Sequence, residues 1–215
     1  MSILTDKVAY LDRSSDPFGS KIIDAIKNRP TSEINHAKSM LTAVYERGGK
    51  IYIIGNGGSW SMAGHFSSDF NNTVRNYEMA VGKKRVETGF NSFRLPPTTE
   101  ELTAVANDSS YEEVFFRSLT SHLREPDLVI AISSSGKSPN IIKAVRYAKE
   151  MRVPVIGLSG FDGGELNELA DAKIHIKTEG GEYFIVEPLH SVVLHELADY
   201  FKGYFDSLVR RNSSS

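Results

Sequence analysis

Ile51-Tyr52-Ile53-Ile54-Gly55-Asn56-Gly57-Gly58-Ser59 decides the reading of this chain, because Leu128-Val129-Ile130-Ala131-Ile132-Ser133-Ser134-Ser135-Gly136-Lys137-Ser138 repeats its plan. Each stretch is a short apolar run, then a turn of small residues, then a segment that reads as helix. An apolar run of that length bounded by turn residues has the pattern of a buried strand. A helix that begins directly after such a turn presents free backbone N–H groups and the positive end of its dipole at one spot. Two such turns in one small domain predict a phosphorylated small molecule held between them.

Outward from these turns, strand and helix alternate. The spacing predicts strand 51–54 leading to a helix over 59–72, strand 127–132 to a helix over 139–150, and strand 154–158 to a short helix over 164–170. Strand 173–177 precedes a final helix expected to start at Pro188, a favoured first helical position, and to run to about Phe205. Such alternation implies an α/β fold with a parallel sheet and helices on both faces. Ligands in these sheets bind beyond the carboxyl ends of the strands, where both turns fall. Before the first strand, residues 16–48 read as helical. Ile22, Ile23 and Ile26 cluster first; after Pro30, Ser32 can cap a helix carrying Ile34, Ala37, Met40, Leu41, Val44 and Tyr45 at helical spacing, ended by Gly48-Gly49. One domain is therefore expected over 1–215, with N-terminal helices to about 48, an α/β core over about 50–205 and a fraying tail over 206–215. The least regular stretch, Val81 to Thr99, holds Lys83, Lys84, Arg85, Arg94 and Pro96-Pro97, and reads as a solvated loop or a lid over an anionic substrate.

Composition narrows the function classes. The 215 residues are long enough for one sizeable core, and 40% hydrophobic with 24% charged residues is ordinary for a globular domain. A net charge of −2 gives no reason to expect nucleic acid or an anionic membrane as partner. The chain has no cysteine, which excludes disulfides, thiolate metal sites and cysteine nucleophiles and fits a reducing cytosol. Met1-Ser2-Ile3-Leu4-Thr5-Asp6-Lys7 lacks the basic-then-apolar order of a signal peptide, and no apolar run approaches the roughly 20 residues of a membrane span. A cytoplasmic location is the expectation.

Better-known phosphate motifs fail. A Walker A loop needs a glycine where Ala131 stands, five residues before Gly136 of Gly136-Lys137-Ser138, so a nucleoside triphosphatase is rejected. In the dinucleotide fingerprint Gly55 and Gly57 fit, but Trp60 takes the third glycine position. What remains is a set of hydroxyls at Ser59, Ser133, Ser134, Ser135 and Ser138, which with backbone amides bind phosphate without a metal or a large positive charge. Ser59 and Ser138 read equally well as helix N-caps, with Pro139 at the first helical position.

With Gly55-Asn56-Gly57-Gly58-Ser59, Ala63-Gly64-His65-Phe66-Ser67-Ser68-Asp69, Ile132 to Asn140, Gly157 to Gly164 and Glu187 to His195, the chain resembles the sugar-isomerase (SIS) domain family over roughly residues 20–205. Within it, the phosphoheptose isomerases look closest. The resemblance implies a three-layer α/β sandwich that assembles as a homotetramer with active sites between subunits. It implies that Ser59 and the serines of 133–138 bind the sugar phosphate, with Asn56, Gly57, Gly58 and Asp108 as further substrate-binding positions.

The chemistry lies downstream of the first turn. His65 and Asp69 are i and i+4 on one helix and share a face, while Glu187 and His195 lie on the last helix. Aldose–ketose isomerisation needs a base to move a proton between adjacent carbons through an enediol, and an acid or a metal to handle the oxygens. Two histidines and two carboxylates also make a donor set for a divalent ion such as zinc. In the resembled enzymes the position of Asp69 carries a glutamate in acid–base and metal-binding roles, and that of His195 carries its partner histidine. His65 matches a metal ligand and Glu187 a glutamine ligand. Asp69 is one methylene shorter than the family's glutamate, Glu187 adds a charge, and Phe184 stands where the closest enzymes have a substrate-contacting aspartate.

Eight residues separate Glu187 from His195, about 12 Å along a helix with faces roughly 80° apart, so one metal reaches both only from a frayed helix start. His36, His122, His175 and His190 read as core or surface histidines, and Trp60 as interface packing. The alternatives are a non-catalytic sugar-phosphate-binding or replication-initiator-associated regulator of the same fold, and an amino-sugar phosphate isomerase or etherase that shares the turns without requiring His65.

Overall fold

The computed structural model describes residues 16–82 and 91–212. Two helices open it, α1 (Pro17–Lys27) and α2 (Thr31–Glu46). The rest runs β1 (Ile51–Gly55), α3 (Gly58–Ala80), β2 (Ser92–Arg94), α4 (Thr99–Asp108), a 3-10 turn (Tyr111–Glu113), α5 (Val114–Thr120), β3 (Leu128–Ser133), α6 (Pro139–Glu150), β4 (Val155–Phe161), α7 (Gly164–Leu169), β5 (Ala172–Lys177) and α8 (Tyr183–Asn212). The five strands form one parallel sheet in the order β2-β1-β3-β4-β5.

Every residue of β1, β3 and β4 is buried, which is why these strands read as unbroken apolar runs. Side chains alternate between the sheet faces. Ile51, Ile53, Ile130, Ile132, Ile156 and Leu158 pack with α2, α3 and α8. Tyr52, Ile54, Val129, Ala131 and Val155 pack with α5, α6 and α7. The expected three layers follow directly from that alternation. Ala131, where a Walker loop would need glycine, is a fully buried residue of β3.

The structure moves several expected boundaries. Helix α2 starts at Thr31 with Pro30 as N-cap, so Ser32 lies inside its first turn and caps nothing. Helix α3 continues to Ala80 because Phe70, Val74 and Tyr77 keep its buried stripe going. Helix α8 begins at Tyr183, not Pro188, which sits inside it, and it continues through the expected tail to Asn212. Proline is tolerated there because it follows the first turn and removes a single i→i−4 bond. Residues 92–94 form an edge strand beside β1. Lys83, Lys84 and Arg85 of the expected lid lie outside the described residues.

Helices α3 and α8 lie along one another, with Phe70 and Phe201 packed edge-to-face at a centroid separation of 4.8 Å. That contact fixes how the polar faces of the two helices meet above it. Among the described residues, no helix is long and apolar enough to cross a membrane.

Candidate functional site

The chain leaves β1 for β2 on one side, and β3 lies on the other. The carboxyl ends of β1 and β3 therefore flank the topological switch point, the place where open α/β sheets form their ligand crevice. Both serine turns open there. A reciprocal amide pair ties them together. Asn56 Nδ2 donates to Asn140 Oδ1 at 3.0 Å, and Asn140 Nδ2 donates to Asn56 Oδ1 at 2.9 Å. Tyr111 Oη donates to the same Asn56 oxygen at 2.8 Å. The Asn56 side chain thus joins the two turns, and the Tyr111 segment just after α4 closes over them.

Of the two serines read as N-caps, only Ser138 holds the N-cap position. The N-cap of α3 is Gly57, at φ +52°, and Ser59 is one residue inside the helix. Ser138 is the N-cap of α6, but its hydroxyl makes no cap bond and lies 3.2 Å from the Ser133 hydroxyl. Ser59, Ser133 and Ser134 are all buried. The second turn is wedged against the β4–α7 connection: Leu166 N–H donates to the Gly136 carbonyl at 3.0 Å, and Lys137 Nζ lies 2.5 Å from Asp162 Oδ2. Lys137 holds the exposed Asp162 carboxyl below its usual range.

The second half of the site lies between α3 and α8. His65 Nε2 is 3.0 Å from Asp69 Oδ2, and His195 Nε2 is 4.0 Å from the same oxygen. The imidazoles stand 5.2 Å apart at 70°. One donor atom from each of the three residues falls within 4.8 Å of the others. These groups line a cavity of about 190 Å3 with Met62, Phe66 and Leu194. His195 Nδ1 lies 2.7 Å from the Ser191 carbonyl oxygen, which only accepts. Nδ1 therefore carries a proton, and in the neutral ring Nε2 is left as the lone pair facing Asp69. Two imidazoles and a carboxylate suit a borderline divalent ion. All three side chains are open to solvent in the single chain, at 63%, 43% and 56% exposure for His65, Asp69 and His195.

Glu187, expected as a fourth ligand, is not in this cluster. It sits well inside α8, and its carboxylate Oε2 lies 3.1 Å from where a Cβ on Gly58 would be, beside the first turn of α3. The cause is helical phase: α8 is already regular at Glu187, so no frayed turn lets it swing to the face of His195. Phe184 is 82% exposed beside it. Asp108 ends α4, exposed, and accepts from the Asn107 amide at 2.9 Å.

The remaining histidines behave as structural groups or surface residues. His36 is exposed, His122 Nδ1 donates to the Ser118 carbonyl at 2.9 Å, and His175 Nε2 donates to the Phe161 carbonyl at 3.1 Å. His190 is fully buried, and burial pushes its imidazole down to about 4 from the usual 6.5. The unfolded chain thus takes up this proton first as pH falls. Its contribution to stability is whole above about pH 6.5 and is lost as pH falls towards 4, by about 3 kcal/mol in all. Urea unfolding at pH 7 and pH 5 should show about 2 kcal/mol of that loss, and His190→Gln should flatten it; an equal pH slope in the variant would assign the loss elsewhere.

Sequence reasoning missed Asn140 as the partner of Asn56, because the two are 84 residues apart and nothing in either pattern points to the other. It placed Arg94 in a loop or lid but missed its contacts: the guanidinium stacks 3.5 Å from the Trp60 ring centroid and runs close alongside Gly64. A glycine at mid-helix was the available signal for such a close approach.

Comparison with known proteins agrees with this fold. The sequence model of the SIS domain matches residues 18–160. A phosphoheptose isomerase of Helicobacter hepaticus is 36% identical over 80% of this chain and 83% of its own length. The phosphoheptose isomerase GmhA from Neisseria gonorrhoeae superposes with a TM-score of 0.74 at 25% identity, covering 93% of this chain and 99% of that one. A phosphoheptose isomerase from Francisella tularensis gives 0.73 at 25% identity over 94% and 100%.

Proposed function

The chain belongs to the SIS domain family, and from that premise we propose that it is a phosphoheptose isomerase, interconverting sedoheptulose 7-phosphate and a manno-heptose 7-phosphate. The observation that carries the reading is the convergence of His65, Asp69 and His195 from two helices onto one cavity, beside two serine turns at the sheet's switch point. In this reading the 215 residues are a single SIS domain with N-terminal helices. Ser133, Ser134, Ser135, Ser138 and Ser59, with the Asn56 to Gly58 backbone and Asp108, hold the phosphate and the adjoining sugar.

The reaction moves one proton between neighbouring carbons and one between neighbouring oxygens. The Asp69 carboxylate takes the carbon-bound proton, leaving an enediol, and returns it to the adjacent carbon. His195, with Nδ1 fixed by the Ser191 carbonyl, uses Nε2 to shuttle the hydroxyl proton. His65 orients the Asp69 carboxylate. A divalent ion such as zinc, held by His65, Asp69 and His195, would polarise the substrate oxygens when bound, in place of proton transfer by the His195 Nε2 that would then be its ligand. The openness of the three side chains, with Tyr183, Phe184 and Phe18 exposed on the same side of α8 and α1, supports a homotetramer whose active sites are completed at subunit interfaces. Absence of cysteine supports a cytoplasmic setting.

Turnover of sedoheptulose 7-phosphate by the purified protein is the test. Chelation should lower the rate by about a hundredfold, with recovery on adding zinc. Failure to turn over any ketose phosphate in the zinc-loaded protein overturns the assignment; full activity after exhaustive chelation removes the metal from it.

A further inference from the structure

One ionisable side chain is buried more deeply than any group the proton transfers use. His190 is wholly inaccessible, yet it sits on α8 between Glu187 and His195, with Ser191 next to it. Its Nε2 donates to the Ser159 carbonyl at 3.0 Å. Ser159 is no arbitrary acceptor. It lies near the carboxyl end of β4, opposite Ser133 in the sheet register, and Ser133 is the first hydroxyl of the second turn. The next residue, Gly160, donates its N–H to the Ser134 carbonyl at 2.9 Å. The serine turn therefore hangs on residues 159–160 of β4, and His190 holds that same segment from the α8 side.

The surroundings are costly for a merely structural contact. Ser134 Oγ, Ser159 Oγ and His190 Nδ1 are all buried without a hydrogen-bond partner in the structure. Buried polar atoms in that condition are few in folded proteins and each weakens the fold. An apolar residue at 190 would fill the space without that burden, and Val186, Leu189 and Val193 do so at neighbouring positions of the helix. No room exists for sideways relaxation either. A Cβ on Gly160 would lie 2.5 Å from Val186 Cγ1, so α8 presses directly on the strand segment that carries the turn.

We propose that His190 is the positioning residue of the phosphate turn: through the Ser159 carbonyl it fixes the end of β4 from which Ser133–Ser138 takes its shape. It touches neither substrate nor the reacting atoms. This rests on the phosphate role given to the turn above, but not on isomerase activity, so the probe is inorganic phosphate. Burial keeps the imidazole neutral at ordinary pH, which leaves Nε2–H as its single donor.

Two variants separate the hydrogen bond from the packing. His190→Gln can keep a donor near the Nε2 position; His190→Leu has similar bulk and none. In His190→Leu the dissociation constant for inorganic phosphate and the KM for the sugar phosphate should both rise about tenfold, with kcat within about threefold of wild type. His190→Gln should return both to within about threefold. A folded His190→Leu protein that binds phosphate like wild type overturns the proposal. So does a loss confined to kcat, which would place the role at His195. If His190→Leu does not fold, the wild-type protein decides. Saturating phosphate should shift the 15N resonance of His190 Nε2, and an unmoved resonance overturns the proposal. Phosphate binding that depends on His190 in a protein with no isomerase activity would refute the function and leave this inference standing.

Discussion

His195→Ala is expected to lower kcat by about a thousandfold while leaving phosphate affinity within about threefold of wild type. The separation is what the geometry demands. The second serine turn and the His65–Asp69–His195 cluster stand on different elements, one at the end of β3 and the other along α3 and α8. A general acid–base contributes typically 10²–10⁴-fold, and an alanine would remove both the proposed acid–base group and one of three residues that could hold a metal. The fold should survive, because His195 is more than half exposed and its one short contact is to a backbone carbonyl of its own helix. Steady-state kinetics with sedoheptulose 7-phosphate, beside calorimetric titration of inorganic phosphate, reads both quantities. Residual activity within tenfold of wild type would remove His195 from the chemistry.

Gly136→Ala should be the most damaging small substitution in the second turn. Gly136 has φ +62°, and an added Cβ would stand 1.9 Å from the Gly163 carbonyl oxygen and 2.6 Å from its carbon. Those are backbone atoms, so no side-chain rotation relieves the clash. The unfavourable dihedral costs about 1–2 kcal/mol and the overlap a further 1–3 kcal/mol. Gly57 is the natural control: φ is +52° and nothing lies within 4 Å of its added Cβ. Gly57→Ala should cost only the dihedral part, which at φ +52° and ψ −118° is about 2–3 kcal/mol. Urea midpoints should therefore order wild type, Gly57→Ala, Gly136→Ala, with phosphate binding lost in the last. Equal midpoints for the two variants would show that the second turn yields more easily than its contacts imply.

Much of this architecture was legible because β1, β3 and β4 are buried on both faces and so carry unbroken apolar runs. Helix α6 matched its expected span, since Pro139 and the last apolar turn mark its ends. Strand β2 was not legible: Ser92-Phe93-Arg94 has no apolar run, and it is a strand because β1 offers it an edge. The start of α8 was misjudged because a proline is informative about where a helix can begin, not about where it must. In the site, His65 and Asp69 announced themselves by their i,i+4 spacing. His195 joined them only through the packing of α3 on α8, and Glu187 failed to join because the intact helix turns it away. The Asn56–Asn140 link belongs to the sheet order, which local pattern does not carry.

The carboxylate of Glu187 beside the first turn of α3 gives the crevice a direction. A negative group already stands by one of the two helix N-termini, so a dianionic ligand approaching the switch point would meet repulsion on that side and the hydroxyls of Ser133–Ser138 on the other. The two turns are alike in sequence but differ in the charge beside them. A sugar phosphate would enter with its phosphate towards Ser133–Ser138, and its uncharged end would then lie towards α3 and the paired imidazoles. In the proposed reading, the polarity of the substrate would thus be selected by charge before any hydroxyl of the sugar is recognised.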